Sequence, residues 1–280
     1  TMYYIFIDAT DGALTSSTSA WTLNDTKIPV ATIFWNNTLT PKYILSDERH
    51  TCKIDRAWHR EHHVVEGTQC VNKGNLSGLI PGSDLDSDRT FGLSSVVIVD
   101  DDLFFTLATL SDPDGATPTY YNLYRTSLTT WAWQISDLPF KYSSLDGGTY
   151  GYIEYDNNGT SSQSSGNTFV NSYVFISNSV NNNESNPEIT TSNLRFFIVQ
   201  GRGKYNSATA AYGESFGNFD LTGFPIIEGF CLYQITWATT NRSNTVKGRC
   251  RYVSTQRISS NITTTVSSSN ASHNSLSGIQ

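Results

Sequence analysis

The chemistry-bearing side chains of this chain are concentrated in one short segment. Four of its five histidines lie there: His50, His59, His62 and His63. Four carboxylates are interleaved with them: Asp47, Glu48, Asp55 and Glu61. Neutral imidazoles and carboxylates are ligand types of transition-metal sites, and the His59 to His63 spacing puts two ligands on one face of a helix. Arg60 follows His59 where the zincin motif has a glutamate, so the segment does not match that motif.

Two interpretations of this histidine segment are open. Side chains from three copies of the chain would meet on an axis if the protein were a trimer, and they would then form a metal site. Alternatively, the segment is a hydrogen-bonded elbow that joins two strands. We favour the elbow and predict no metal.

Two acidic clusters raise the possibility of calcium binding. Asp84, Asp86 and Asp88 alternate in a loop, and residues 100–102 are three consecutive aspartates. Oxygen-ligand calcium loops alternate carboxylates in this way, but the glycine and the final glutamate of the EF-hand are missing. We therefore interpret both clusters as surface turns.

A set of aromatic residues in the middle of the chain suits either sugar binding or core packing. The set is Trp131, Trp133, Tyr150, Tyr152 and Tyr155. Exposed rings would stack on sugars, but alternating aromatics in strands more often form a core, and we predict the core. A glycosidase needs two carboxylates placed by the fold, which sequence alone does not exclude. No nucleophile or phosphate-loop motif is present, and Gly201-Arg202-Gly203 is an isolated turn, so we predict no catalytic residue and no cofactor.

The cysteines and glycosylation sequons leave the compartment open. Cys52, Cys70, Cys231 and Cys250 are spaced as two local disulfides of a secreted protein would be, but free, partly buried thiols are the alternative. Eight Asn-x-Ser/Thr sequons occur: Asn24, Asn36, Asn75, Asn158, Asn183, Asn241, Asn261 and Asn270. Chance gives about six among the 23 asparagines, so the sequons are no evidence for secretion.

The composition indicates a folded β protein with a polar, weakly charged surface. The 280 residues are 38% hydrophobic and 12% aromatic, but 15% charged, against roughly 25% in typical soluble domains. Serine and threonine total 69, which favours strands and turns. The net charge of −7, without a basic run, argues against nucleic-acid binding. No apolar stretch reaches the roughly 18–20 residues of a membrane helix.

Strand patterns divide the chain into two parts and a tail. In the first part, periodicity predicts strands over 3–8, 28–35 and 43–45, a helix over 55–65 and a loop over 71–93. The second part has strand signals over 96–99, 120–125, 131–135, 150–155, 169–176, 194–199, 229–237 and 248–253. We predict a mainly β fold: an N-terminal strand-rich module (1–93), a β-sandwich or jelly-roll-like domain (94–253) and a Ser/Thr/Asn-rich linker (254–280).

Four segments follow one another in the first part of the chain: YYIFID (3–8), VATIFWN (30–36), DERH (47–50) and IDRAWHREHH (54–63). Together they resemble a module of fibre and baseplate-associated proteins of tailed bacteriophages. In those proteins a YYIYID strand, an ATIYW strand, a DERH turn and an MDxxTHxYLH segment follow in the same order. The likeness departs from the pattern where REHH replaces xYLH and where Cys52 and Cys70 flank the segment.

The resemblance continues through the second part in the family's order. VDDDL (99–103) is similar to xDEDI/L, and YNLYRT (121–126) with the tryptophans after it is similar to VFYRxG…W. FVNSYVFISN (169–178) resembles FVxYWVFATN, and Pro187 with IVQG (198–201) resembles P…xIPGQ. HNSLSGI (273–279) is similar to the HxSLxGL joint that precedes further tail-fibre segments.

The resemblance implies a structural role. It implies a homotrimeric, non-enzymatic part of a tailed phage virion, in a tail fibre or baseplate appendage, that joins the particle to distal receptor-binding segments beyond Gln280. Its partners would be other tail or baseplate proteins and host surface polysaccharide, without nucleic acid or membrane insertion. We expect it on the phage tail, and outside the cell after release.

Two alternatives remain open from the residues. A secreted or viral-envelope glycoprotein with lectin-like carbohydrate binding would pair Cys52 with Cys70 and Cys231 with Cys250, and would carry glycans at several sequons. A polysaccharide depolymerase would need a carboxylate pair in a groove.

Overall fold

The computed structural model describes residues 1–20, 26–39, 42–48, 68–81, 89–100, 103–110, 120–145, 150–180, 194–216, 219–226, 229–239 and 248–254. Within the described residues the fold is mainly β, with eighteen strands and one short helix. This confirms the fold class predicted from strand propensity and from the turn residues.

The chain begins with a four-stranded antiparallel unit. Its strands are β1 (Met2–Asp8), β2 (Leu14–Ser17), β3 (Lys27–Trp35) and β4 (Tyr43–Asp47). β1 pairs with both β2 and β3, and β3 pairs with β4. Tyr4, Phe6 and Phe34 are buried on one side of this unit, because alternate residues of a strand point to the same face. The three strands predicted here are confirmed, each extended by one or two residues.

Short strands follow in the middle of the chain. They are β5 (Gln69–Asn72), β6 (Leu76–Ser77), β7 (Gly92–Leu93), β8 (Val96–Asp100) and β9 (Leu103–Leu107). β5, β8 and β9 form a three-stranded sheet, and β6 pairs with β7. The prediction of a loop over 71–93 is therefore wrong in part: brief strands form there because they pair with neighbours, although their own residues favour turns.

The second half of the chain supplies the remaining elements. The strands are β10 (Tyr120–Ser127), β11 (Thr130–Ser136), β12 (Tyr142–Leu145), β13 (Tyr150–Asp156), β14 (Ser161–Gln163), β15 (Phe169–Val180), β16 (Leu194–Gln200), β17 (Phe230–Thr239) and β18 (Gly248–Ser254). Helix α1 (Ala208–Tyr212) lies between β16 and β17 and was not predicted. Its N-cap is Ser207, whose hydroxyl accepts a hydrogen bond from the Ala210 amide at 3.1 Å. The predicted helix over 55–65 lies outside the described residues.

One ten-stranded sheet joins the beginning of the chain to its second half. The order is β11-β10-β16-β15-β4-β3-β1-β2, and β17 pairs with β15 and β18. β15 is the central strand: β16 runs along one edge, and β17 and then β4 along the other. All pairs are antiparallel except β10 with β16. The sheet thus contains strands from both predicted parts, while the boundary at residue 93 stays a prediction.

The large sheet separates two hydrophobic cores. Val174 and Ile176 of β15 point into the first core, which β7, β8, β9 and β13 cover. Tyr173 and Phe175 point into the second core, with the β10–β11 hairpin and the chain near Phe224. Burial on both faces explains why the middle of β15 (173–176) and most of β16 (196–199) are continuous apolar runs. Within the described residues, no helix is long and apolar enough to span a membrane.

Candidate functional site

Most of the residues singled out by sequence as metal ligands lie outside the described residues. This applies to His50, His59, His62, His63, Asp55, Glu61, Asp84, Asp86, Asp88, Asp101 and Asp102. Asp47 and Asp100 end strands β4 and β8, and Glu48 is buried. In the part of the chain that the structure describes, no three His, Cys, Asp or Glu residues come together as a metal site would require. The prediction of an elbow without metal stays a prediction.

Three of the five residues of the aromatic set form core rather than a sugar platform, and the side chain of Tyr150 lies outside the described part. Trp131 and Trp133 are each only 2% exposed, and Tyr155 is buried as well. The Trp131 ring meets Phe224 edge to face at 4.9 Å, and its indole N–H donates to the Thr222 carbonyl at 3.1 Å. Trp133 meets Phe34 at 5.8 Å. The core interpretation of the two tryptophans and Tyr155 is confirmed, while Tyr152 is half-buried.

β13 carries two buried carboxylates, and a pair of carboxylates is one of the requirements of a glycosidase. Glu154 and Asp156 are two residues apart and so share one face of the strand. Glu154 accepts hydrogen bonds from Lys141 Nζ and from the hydroxyls of Ser143 and Ser161. Burial acts to raise the Glu154 pKa, but these hydrogen bonds outweigh it, so the pKa lies below its usual value of 4.5. This carboxylate is 7% exposed and is held by its own chain, which fits a structural role.

Asp156 belongs to a second polar cluster, which is centred on Arg125. The Asp156 carboxylate accepts the Gly159 amide at 2.6 Å and lies 3.9 Å from Arg125 Nε. The Arg125 guanidinium also donates to the Asp220 carbonyl and lies 3.6 Å from the Asp220 carboxylate. It stacks over the Trp131 ring at 4.9 Å. Arg125 is 1% exposed, so this cluster ties β10, β13 and the segment around Asp220 together inside the molecule.

Glu214, just after α1, holds a third cluster. One of its carboxylate oxygens accepts from Asn171 Nδ2 and from the Tyr173 hydroxyl, both at 2.8 Å. The other accepts from the Arg202 amide at 2.7 Å and from the Tyr205 hydroxyl at 3.0 Å. Four donors from β15 and from the segment after β16 therefore converge on one side chain. A carboxylate saturated in this way positions the backbone rather than a substrate.

The tyrosines of this cluster are held in the neutral form. Burial, with the negative charge of Glu214 as the next cause, raises the pKa of Tyr173 and the pKa of Tyr205 above the usual value of 10. Gly201 allows the close approach, because a Cβ there would lie 2.7 Å from a Glu214 oxygen. Sequence reasoning missed this cluster, since its members are scattered from 171 to 214 without a spacing pattern.

The candidate interaction site is an apolar surface on the first four strands, which we call the outer face. Its members follow from cross-strand register, because paired residues point to the same side. They are Tyr3, Ile5 and Ile7 of β1, Leu14 and Ser16 of β2, Ile28, Ala31, Ile33 and Trp35 of β3, and Tyr43 and Leu45 of β4. None of these eleven side chains is charged. Asp47 pairs with Ala31 at the end of β4, and its side chain is outside the described part.

Several side chains of the outer face are strongly exposed. Leu14 is 68% exposed, Ile28 is 53% exposed and Trp35 is 42% exposed. Leu14 and Ile28 flank Ile7 across three strands, and the Trp35 and Tyr43 rings lie parallel with centroids 6.4 Å apart. Leu45 packs against the first core, so the face continues the apolar side of the sheet beyond that core. The signal was present in the sequence: YYIFI is apolar at both odd and even positions, which is typical of a strand with two apolar faces.

No protein-family model, curated protein or solved structure matches this chain. Among the described residues, Glu154, Asp156 and Glu214 are each held by groups of their own chain, and the outer face is an exposed apolar surface.

Cys231 of β17 and Cys250 of β18 lie too far apart in the strand register to form a disulfide. Cys231 is a buried free thiol at the start of β17. Cys250 is the cross-strand partner of Trp237. Trp237 lies six residues after Cys231 on β17, which places this partner position about 20 Å from Cys231 at ~3.3 Å per residue. A disulfide needs Cα atoms within about 7 Å. The Cys231–Cys250 bridge expected of a secreted glycoprotein is therefore wrong, while Cys52 lies outside the described residues.

Proposed function

We propose that the protein is a structural component of a tailed phage virion. In this proposal it is a non-enzymatic, homotrimeric part of a tail fibre or baseplate appendage, and it joins the particle to distal receptor-binding segments. It works mechanically: it contacts its own copies and other tail proteins, and it transmits load through its sheets.

The observation that carries the proposal is the place of the phage-like segments in the fold. YYIFID lies in β1 and VATIFWN runs to the end of β3, and these two strands pair. FVNSYVFISN lies in the central strand β15, next to the strand that contains IVQ. These three segments and IVQ are therefore in strands of one sheet, whereas IDRAWHREHH (54–63) and HNSLSGI (273–279) lie outside the described residues and VDDDL (99–103) begins in the smaller β5-β8-β9 sheet. A likeness that falls on framework strands in this way supports a shared structural role.

The interior polar clusters support the same proposal. Arg125 links β10 to β13, and Glu214 links β15 to the chain before and after α1. Each of these charged side chains contacts groups on separate elements, which favours one arrangement of the strands. A defined arrangement of strands suits a connector under mechanical load.

The alternative interpretation as a secreted glycoprotein expects two disulfides, and one of them, Cys231–Cys250, does not fit the strand register. Cys231 is buried and lies far from Cys250 along the β17–β18 ladder. The exposed sequons Asn75 and Asn158 are described and allow the rest of that interpretation to be tested on peptides.

Immunogold electron microscopy tests the proposal. Antibodies raised against the purified chain are applied to phage particles prepared from the source of the sequence. We expect gold at the tail or baseplate, at the same place on most particles. Antibodies pre-absorbed with the chain are the control. Label confined to soluble protein, with bare particles, would contradict a virion role.

A further inference from the structure

One dipeptide in this chain pairs two residues that react with each other. Asn158-Gly159 is the only asparagine followed by glycine in the 280 residues. Because glycine has no side chain to block the approach, its backbone nitrogen can attack the side-chain amide carbon of the asparagine before it. The N–Cγ bond forms, the Cγ–Nδ2 bond breaks, and ammonia leaves with the proton of the attacking N–H. Water then opens the five-membered imide to aspartate or isoaspartate.

The structure places this dipeptide in the turn between β13 and β14. Asn157 and Thr160 close the turn, since the Asn157 amide donates to the Thr160 carbonyl at 2.8 Å. Asn158 has φ +51° and Gly159 has φ +95°. Two positive φ values at the centre of a two-residue hairpin loop are the signature of a type I′ turn. Asn158 is exposed in this turn, whereas Gly159 is buried.

The geometry of the turn keeps the two reacting atoms apart. A type I′ turn is the mirror image of type I, so ψ of its first central residue is about +30°. The torsion from Cβ to the next backbone nitrogen is about 120° larger than ψ, because Cα is tetrahedral, and is thus roughly 150° at Asn158. The imide ring needs this torsion near zero. The ring therefore cannot close until the turn opens.

Three contacts of the folded protein hold the turn in this arrangement. The Gly159 N–H, which contains the attacking nitrogen, donates to the Asp156 carboxylate at 2.6 Å. That carboxylate lies 3.9 Å from Arg125 Nε of β10. Gly159 also packs closely on the turn between β10 and β11, since a Cβ there would lie 2.7 Å from Leu128. Opening the β13–β14 turn therefore breaks contacts with two other parts of the chain.

We propose that Asn158 is a deamidation site that the folded protein keeps closed through the Asp156 contact and that reacts when the β13–β14 turn opens. β14 has three residues and lies at the edge of the β12-β13-β14 sheet, so the turn can open without unfolding the large sheet. The rate of modification then follows the population of the open turn. Isoaspartate adds one main-chain carbon to a two-residue loop, which no longer matches the register of Asp156 with Ser161. The inference does not depend on the proposed function.

Peptide mass spectrometry of the full chain tests the inference. The protein is incubated in mildly alkaline buffer with and without guanidinium chloride, and the fraction of the Asn158 peptide whose amide has become a carboxylate is measured over time. Chromatography separates aspartate from isoaspartate. Asn167 is the internal control, because it is also exposed and has a positive φ of 60°, but threonine follows it.

We expect Asn158 to react at least tenfold faster in guanidinium chloride than in buffer. Asn167 should react at least tenfold more slowly than Asn158 in guanidinium chloride. Equal rates of Asn158 in the two solutions would overturn the inference, because the fold would then give no protection. An Asn158 that reacts no faster than Asn167 in guanidinium chloride would overturn it as well.

Two substitutions of Asp156 test the contact that closes the turn. Asp156→Ala removes the acceptor of the Gly159 N–H and should raise the rate at Asn158 in buffer at least threefold, with no change in guanidinium chloride. Asp156→Asn is the matched control, since its side-chain oxygen still accepts this N–H, and its rate in buffer should stay below that of the alanine variant. Circular dichroism checks that both variants fold. A folded alanine variant that reacts as slowly as the wild type would overturn the inference, and the wild-type comparison decides if that variant does not fold.

Discussion

Glu214 shows what single residues do in this molecule. Its two oxygens accept four hydrogen bonds from Asn171, Tyr173, Tyr205 and the Arg202 amide. The carboxylate is an acceptor at every one of these contacts, so it cannot be replaced by an amide without turning one acceptor into a donor.

We predict that Glu214→Gln lowers the free energy of unfolding by roughly 2–3 kcal/mol, because the amide nitrogen would face donors and leave a buried group unpaired. Urea unfolding at neutral pH measures the change. Asp11→Asn is the control, since Asp11 is an exposed carboxylate in the β1–β2 turn, and it should cost less than about 0.5 kcal/mol. Equal effects of the two variants would refute a central role for Glu214.

Glu154 makes stability depend on pH in a defined direction. Its pKa in the folded protein is lowered, so the unfolded chain binds its proton first as the pH falls. The stability that Glu154 contributes is thus fully present above its usual pKa of 4.5 and is lost as the pH falls through the lower folded value. Urea unfolding between pH 7 and pH 3 should show wild type and Glu154→Gln converging at the acidic end. Parallel curves over that range would contradict the assignment.

The Cys231 thiol should not react with alkylating reagents in the native protein. It is 2% exposed, and burial raises the pKa of its thiol, so little thiolate forms and reagents cannot reach it. We expect iodoacetamide to modify Cys231 in urea but not in buffer, as read by peptide mass spectrometry. A cystine linking Cys231 to Cys250 would contradict the β17–β18 register.

At the scale of elements, two glycines with positive φ differ in the space that a Cβ would have. Gly12 has φ +73° with open space around it, whereas Gly223 has φ +71° and a Cβ there would lie 2.0 Å from the Thr129 carbonyl oxygen. We predict that Gly12→Ala costs about 1 kcal/mol, from backbone strain alone. Gly223→Ala should cost clearly more, because the turn between β10 and β11 must also move. Thermal unfolding compares the two, and a Gly223→Ala variant as stable as Gly12→Ala would refute the close approach.

The strands were predictable where they are long and alternate or are apolar throughout. β1, β3, β10, β15 and β17 were found from such runs. β2, β9, β12 and β14 were missed, since they have three to five residues, polar or mixed, and form by pairing with a neighbour. α1 was missed for the same reason of length, because five residues carry almost no periodic signal.

The sites were less predictable than the strands. The burial of Trp131 and Trp133 followed correctly from alternation. The Glu214 cluster did not, because its donors come from two separate stretches, 171–173 and 202–205, that only the fold brings together around Glu214. The pairing of β4 with β15, which joins both halves of the chain in one sheet, is equally non-local and left no trace in spacing.

At the scale of the whole molecule, one sheet divides two cores and then continues past them. β15 and β16 are buried on both faces, whereas β1 and β3 have buried side chains on one face and present the outer face on the other, and β2 has no buried side chain. This exposed apolar part of the sheet fits the structural role that we propose.

Peptide-level mass spectrometry of purified phage particles, without reduction, tests the virion assignment most directly. We predict that peptides of this chain are present at a copy number that is a multiple of three. The Asn75 and Asn158 peptides should be bare, and Cys231 should be a free thiol. Particles without these peptides, and a soluble chain whose Asn75 or Asn158 peptides carry hexosamine, would contradict the assignment and favour a secreted glycoprotein.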